Sequence, residues 1–400
     1  MQTTSAYAEG KMEKMEHLKR MAALIGTAGL LMLGGCASEE VSEETEESAL
    51  ASKSGTLDPT FGKGGRVVRG DAIPRAQDRV ALGDRLVILQ GDSIRLYDPT
   101  LGFVSTFGEK GSIALSGLLA ANESAILRPR LGSGFYVLAA RKDGVGLRVL
   151  AFGASGVRDS GWGTKGELVV SGVTDGVLDG KGRLVLYGKS APVRVGSNGK
   201  VDPTFVSADP RLLRIEKMIV EKGGALFAKL ASGDLLRLRE DGSVDAAFVS
   251  KGEKLVAIAE RMVADEKGGM YLQGVDYLAH LKPNGAVDGS FANEIGNYSK
   301  VGERLDLIYD SSSKGLLLAF EYVASVGPFT KAGTLGVMKV DGATGKRLSS
   351  FDKDGVTQFA FDQLEIDAAS IRTDASGKLW VHANLFSDQS LSFGSARLWK

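Results

Sequence analysis

The sequence predicts an all-β fold: a β-propeller of about seven four-stranded blades, following a cleaved signal peptide and a disordered linker. Three observations predict it. Glycine makes up 53 of 400 residues, against an ordinary share of ~7%. It is scattered rather than clustered, as many tight turns between short strands require. An aromatic motif returns along the chain at the spacing of one blade. Each repeat holds about four short apolar runs separated by turns, which is the content of a blade.

The motif is clearest at Leu57-Asp58-Pro59-Thr60-Phe61-Gly62-Lys63-Gly64-Gly65-Arg66-Val67 and at Val201-Asp202-Pro203-Thr204-Phe205. Shorter copies are Val244-Asp245 with Phe248 and Val287-Asp288 with Phe291. Looser ones are Phe107-Gly108 with Gly111, Trp162-Gly163 with Gly166, and Phe351 with Gly355. From Trp162 to Phe291 the aromatics fall 43 residues apart. The other intervals are 46, 55 and 60, which predicts insertions in loops. Glycine turns lead into apolar runs at Gly182 before Leu184-Val185-Leu186, at Gly224 before Leu226-Phe227, at Gly269 before Met270-Tyr271-Leu272 and at Gly377 before Leu379-Trp380-Val381.

Seven units fit between Phe61 and Trp399. A blade buries both sheet faces on its neighbours, so the ring has to close. The Phe61 unit therefore packs against, or shares a strand with, the Arg397 unit. Arg95, Arg148, Arg194, Arg237 and Arg397 recur once per unit, as do Asp58, Asp202, Asp245 and Asp288. They read as a structural polar pair in each blade rather than as binding residues. The segments Leu57 to Val67, Asp179 to Leu184, Arg237 to Gly242 and Lys282 to Asp288 resemble parts of the delta-60 repeat of exported bacterial proteins. The resemblance covers nearly all of residues 56–400 and implies a propeller, with no single activity attached.

Ahead of the repeats, His17, Lys19 and Arg20 precede an apolar run from Met21 to Leu33. The run is shorter than the roughly 20 residues that span a membrane and has the form of a signal-peptide core. It ends in Leu33-Gly34-Gly35-Cys36, which resembles the lipobox of bacterial lipoprotein precursors. The resemblance implies cleavage before Cys36, a diacylglycerol on its thiol and a palmitate-type acyl chain on its new amine. Membrane lipid is then a partner through acylated Cys36, and the location is the cell envelope. Ala37 and Ser38, with no Asp after the cysteine, imply the outer membrane, on either face. Residues 1–14 read as an over-long start, with translation beginning at Met12 or Met15. Residues 39–55 are acidic and lack aromatics, so they bury too little apolar surface to fold. The chain thus divides into 1–35, over-long start and signal peptide; 36–55, lipidated cysteine and flexible linker; and 56–400, propeller.

Chemistry is sparse. Lys+Arg and Asp+Glu are both 49, so no basic field collects nucleic acid. A single cysteine excludes an intramolecular disulfide. His280 takes the Arg position of its strand and His382 follows an apolar run; both read as structural. Asp159-Ser160-Gly161 resembles a serine-protease segment, yet Asp159 matches Asp58 and Trp162 matches Phe61, so it belongs to the third repeat. Asp352-Lys353-Asp354-Gly355 lacks the further ligands of a calcium loop. Gly342-Ala343-Thr344-Gly345-Lys346 lacks P-loop spacing. Val340 to Lys346 does resemble a blade motif of quinoprotein-like propellers, a group that includes the propeller lipoprotein of outer-membrane protein assembly.

No catalytic, cofactor-binding or metal-ligating residue is expected. The expected function is a non-enzymatic, membrane-anchored binding or scaffold propeller for a protein or envelope polysaccharide. The alternatives are a carboxylate-based hydrolase or lyase with its site in the propeller channel, and an accessory scaffold in outer-membrane protein assembly. An acidic cluster in the channel favours the enzyme. An uncharged plug with an exposed aromatic rim favours binding.

Overall fold

The computed structural model describes residues 54–399, apart from 70–75, 133, 145, 222, 298–300, 323–332, 353, 362–363, 375 and 388–389. The expected signal peptide, Cys36 and most of the acidic linker lie outside the described residues. Those described form seven antiparallel sheets. The chain begins with β1 (Arg66–Arg69). The first blade is β2 (Ala76–Leu82), β3 (Arg85–Gln90), β4 (Ser93–Tyr97) and β5 (Ser112–Ala114). The second is β6 (Glu123–Arg130), β7 (Gly134–Arg141), β8 (Gly146–Phe152) and β9 (Glu167–Ser171). The third is β10 (Val173–Leu178), β11 (Leu184–Gly188) and β12 (Val193–Val195). The fourth is β13 (Ile215–Val220), β14 (Leu226–Leu230) and β15 (Leu235–Leu238). The fifth is β16 (Arg261–Ala264), β17 (Met270–Gln273) and β18 (Leu278–Leu281). The sixth is β19 (Val301–Asp310), β20 (Gly315–Tyr322), β21 (Thr334–Asp341) and β22 (Val356–Ala360). The seventh is β23 (Glu365–Thr373), β24 (Leu379–Ser387) and β25 (Ser390–Leu398). It is completed by β1, which pairs with β25 from Arg66 opposite Ala396 to Arg69 opposite Phe393. The two ends of the chain share one sheet, and the propeller closes at seven blades.

Each junction between blades has its own buried cluster. Val87 and Leu89 of the first blade pack with Phe135 and Val137 of the second. Tyr271 and Leu278 of the fifth pack with Leu316 and Leu318 of the sixth. Phe393 of the seventh packs with Ile88 and Tyr97 of the first. The middle strands are therefore apolar on both faces, as a sheet covered on both sides must be.

The aromatic motif ties six of the seven blades to the next. Phe61, Phe107, Trp162, Phe205, Phe248 and Phe351 are buried. The residue after the aromatic donates its N–H to a carbonyl in the following blade: Gly108 to Ser155, Gly163 to Asn198, Val206 to Asp241, Val249 to Asn284, Ala292 to Thr344 and Asp352 to Ser54. Each accepting carbonyl immediately precedes a turn glycine, from Gly156 round to Gly55. At the closure the turn is made by both chain ends. Gly55 N–H reaches the Trp399 carbonyl at 2.7 Å, and Trp399 N–H returns to Thr56 at 2.9 Å.

Four blades have four strands and three have three. The motif sequence explains which. In Phe61-Gly62, Phe107-Gly108 and Trp162-Gly163 the residue after the aromatic has φ of +52°, +58° and +59°, a conformation glycine adopts without penalty. The chain then folds back on itself, Gly166 N–H bonding the Trp162 carbonyl at 2.8 Å and Thr164 N–H the Glu167 carbonyl at 2.8 Å. This turn launches β9, and its counterparts launch β1 and β5. Asp352, at φ +54°, takes the glycine's place before β22, as Asp tolerates better than most residues. The third, fourth and fifth blades carry Val206, Val249 and Ala292 instead. There the chain runs on into a 3-10 turn at Pro210–Leu212, α1 (Glu253–Ile258) and α2 (Glu294–Asn297), and no fourth strand forms among the described residues.

Interval length reflects the loop insertions expected, 11 residues lying between β20 and β21 against four between β17 and β18, and longer strands as well. The long intervals build longer strands. β19 has 10 residues and β7 has 8, whereas β17 and β18 of the 43-residue region have 4 each.

Candidate functional site

The first strand of each blade is the innermost. These strands contact one another in order, β2, β6, β10, β13, β16, β19 and β23. Bulges interrupt their pairing at Asp78, Asp175, Lys217 and Asp306, and a bulge re-aims a side chain. The acids there serve as clamps. Asp78 accepts N–H groups from Arg79 at 2.8 Å and from Leu127 of the next blade at 2.7 Å. Asp306 accepts from Leu307 at 2.8 Å and from Ile371 of the next blade at 2.9 Å. Arg128 pairs with Asp175 at 2.7 Å and approaches Asp78 at 3.5 Å, binding three inner strands. Burial pushes Asp306 up, against the pull of its two backbone donors and of Arg261 and Arg79. Burial and the neighbouring Arg261 push Lys217 down. The channel thus carries interleaved cations and acids, neither an acidic cluster nor an uncharged plug. Among the described residues no group of three or more His, Cys, Asp or Glu is placed to hold a metal. Among the exposed large apolar residues the sole aromatic is Phe103, so the described residues form no aromatic rim.

One junction differs. Between β23 and β2 the chain is bridged by the Asn384 Nδ2–H, which donates to the Ala76 carbonyl at 3.1 Å. Arg372 also donates to the carbonyls of Gly83 and Asp84 at 3.2 and 3.3 Å. Here lies a cavity of about 600 Å³, lined by Ala76, Gln77, Asp78, Arg79, Gly91, Ala368 and Asn384. It opens on the face where inner strands begin and second strands end. Arg79 reaches over the Phe393 ring, 5.8 Å from its centroid. Burial pulls the guanidinium down, opposed by Asp306 and Asp78. Its neighbour Asp78 is already engaged by two backbone donors and Arg128. Asn384 is 4% exposed, and its Oδ1 is buried without a hydrogen-bond partner.

The residues singled out in the sequence sort differently. Arg397 meets Asp58 at 2.8 Å and Arg194 meets Asp202 at 2.9 Å. Arg237 lies 3.8 Å from Asp245, and His280, in the Arg position, 3.4 Å from Asp288. Each Asp also caps its own turn, as Asp58 does by accepting both the N–H and the hydroxyl of Thr60. Arg397 and Arg194 lie over Phe61 and Phe205, at 5.0 and 4.8 Å.

Arg95 and Arg148 are not members of this set, because they fall out of register with it. Arg148 pairs with Glu123 and Glu167 at 2.7 and 3.3 Å, and Arg95 lies over Phe103. His280 is also held by Asp265 at 2.9 Å and stacks on Tyr271. His382 is buried, and burial together with Arg372 and Arg79 holds it well below the usual imidazole range. Arg372 donates to its Nε2, leaving Nδ1–H to donate to Ser395 Oγ at 2.7 Å. Asp159 is gripped by Arg130 at 2.6 Å and caps Gly161, as a repeat Asp does. Cys36 lies outside the described residues, as does Lys353 of the acidic turn. Arg79 and Asn384 escaped the sequence reading. The available signal was polar residues inside otherwise apolar strands, Gln77-Asp78-Arg79 and the alternation of His382 with Asn384.

No protein-family model matches the chain, and no curated protein matches it. Solved propellers do. A structure described as YCF48 bound to D1 peptide aligns at TM-score 0.51 and 10% identity, over 86% of this chain and 99% of that one. A streptogramin B lyase aligns at TM-score 0.48 and 8% identity, over 82% and 97%. BBS1N in complex with ARL6DN aligns at TM-score 0.46 and 11% identity, over 88% and 98%. At these identities the likeness is one of fold.

Proposed function

We propose that the chain is a cell-envelope lipoprotein, anchored by lipid on Cys36, whose propeller binds a protein or envelope polymer without catalysing a reaction. One observation carries the binding half of this reading. The repeated acids, Arg148, Arg194, Arg237, Arg397 and His280 are engaged inside the blades, and the polar groups lining the cavity, Arg79 and Asn384 among them, are recognition groups. Neither is a nucleophile with a base beside it, which covalent catalysis requires. The channel carboxylates Asp78 and Asp306 accept two backbone N–H groups each, which suits a clamp better than a general acid or base. The delta-60 resemblance and the lipobox Leu33-Gly34-Gly35-Cys36 support an exported, anchored propeller.

Photo-crosslinking in intact cells tests this, with capture of the lipidated protein and identification of what it carries. A specific protein or polymer partner, lost when Cys36→Ser releases the chain from membranes, is the expected result. Absence of acyl label on Cys36, or no crosslinked partner in intact cells, overturns the reading.

A further inference from the structure

The cavity between the seventh and first blades brings together two polar groups of opposite kind. Asn384 Oδ1 is a pure acceptor, buried without a hydrogen-bond partner. A buried acceptor left unmade costs about 1–3 kcal/mol relative to a satisfied one, so such a group in a native fold calls for a partner, a water or a ligand. The amide's other end is fixed, since Nδ2 donates to the Ala76 carbonyl at 3.1 Å. The Arg79 guanidinium is a fork of donors only. Its backbone N–H is the part that bonds Asp78, and that carboxylate is further neutralised by the Leu127 N–H and Arg128. The side chain lies over Phe393, which is the cross-strand partner of Asn384. A planar cation and an unfilled acceptor thus share one cavity of about 600 Å³, within the ~300–1,000 Å³ range of small-ligand sites.

We propose that this cavity binds a peptide carboxylate, the carboxylate taken by Arg79 and an adjacent amide N–H donated to Asn384 Oδ1. Arg matches a carboxylate bidentately. The amide N–H is what a free anion lacks and a peptide supplies. Partial burial of Arg79 strengthens the demand for an anion there. Gln77, exposed on the cavity wall, is available to a neighbouring peptide group. The proposal rests on the binding reading above and names the chemistry of the bound group.

The test is calorimetric titration of the 54–400 body within the full chain, detergent-solubilised, with three probes. These are N-acetyl-trialanine acid, the same peptide as its C-terminal amide, and N-acetyl-Ala-Asp-Ala amide. Acetate serves as the carboxylate without an N–H. The acid, or the Asp peptide if the side chain is the source, should bind at least about 10-fold more tightly than trialanine amide. That preference should vanish in Arg79→Gln. Asn384→Leu should weaken the preferred peptide while leaving acetate unchanged. Gln77→Glu, at an exposed position that leaves the core intact, should weaken the acid several-fold. Equal binding of acid and amide overturns the proposal, as does a preference that survives Arg79→Gln, or acetate binding as tightly as the peptide. A crosslinked partner in cells alongside such a result sinks the cavity assignment alone. Peptide binding without any cellular partner sinks the envelope reading alone.

Discussion

Two arcs of this ring solve the same packing problem differently. The sixth, seventh, first and second blades form a continuous arc of four-stranded sheets. The third, fourth and fifth form an arc of three-stranded ones. Both carry the same aromatic, and six of the seven blades pass the same backbone hydrogen bond to the next. Blade-to-blade packing in the three-stranded arc is therefore made without an outermost strand, whereas at the closure that strand, β1, is the one that joins the chain ends. What decides its presence is one backbone conformation after the aromatic, accessible to Gly62, Gly108, Gly163 and Asp352 and closed to Val206 and Val249. Where the strand is missing, Val206 and Val249 stand 61% and 57% exposed. The most periodic stretch of sequence thus encodes the shortest blades, and the less regular copies encode the fuller ones.

The comparison has sharp tests. Closure lies in the four-stranded arc, so deleting the last 20 residues should abolish the cooperative thermal transition of the whole body by near-ultraviolet dichroism. A native-like melt after that deletion contradicts a closed ring. Gly163→Val should turn the second blade toward the three-stranded kind. The new Cβ meets the Glu167 carbonyl oxygen in a left-handed backbone, and urea unfolding should show a loss of about 2–4 kcal/mol. The reverse change, Val206→Gly, should stay within about 1 kcal/mol; comparable losses at both sites erase the distinction between the arcs.

A smaller effect separates the paired arginines of the repeat from the unpaired one. Arg194, 4% exposed, pairs with Asp202 and bonds the Glu240 carbonyl of the next blade. Arg194→Gln should cost about 2–3 kcal/mol, and Arg95→Gln, outside the paired set, distinctly less by the same measurement.

The smallest effect concerns pH at the seventh blade. His382 is neutral in the fold, so as pH falls below ~6.5 the unfolded chain takes up the proton first. Stability present above that pH declines below it, by at most ~1.4 kcal/mol per pH unit. Urea midpoints between pH 6.5 and 5 should show this slope, and His382→Gln should remove it. A second decline belongs below about pH 4, where Asp58 and Asp202 lose the hydrogen bonds and arginine charge that hold them low.

Ring number, closure and the structural role of the repeated Asp were legible in the sequence, because each depends on a local motif. The Asp caps its turn two residues on, and the aromatic sits at a fixed distance from it. Register was harder. Arg95 and Arg148 look like Arg194 until strand alignment places them one or more residues out of phase. The cavity was not legible at all. Arg79 and Asn384 lie 305 positions apart and meet only because β1 carries the first blade against the seventh. Strand alternation marks each as a polar intruder, and nothing in the linear order joins them.

The junction of the chain ends has a mechanical consequence. The chain enters the ring at Ser54, on the face of the third-to-fourth strand turns, and the Arg79 cavity opens on the opposite face. A load applied through residue 54 is first borne by the backbone bonds of Ser54 to Asp352 and of Gly55 to Trp399. Next comes Asp58, fully buried and held by Arg397 and Lys378, and then Phe61 wedged beneath Arg397. Tension peels this seam from one end, meeting a buried charge and a buried ring before it reaches β1. The seam is thus a strain relief: a pull from upstream is absorbed at the joint, while the far face keeps its shape.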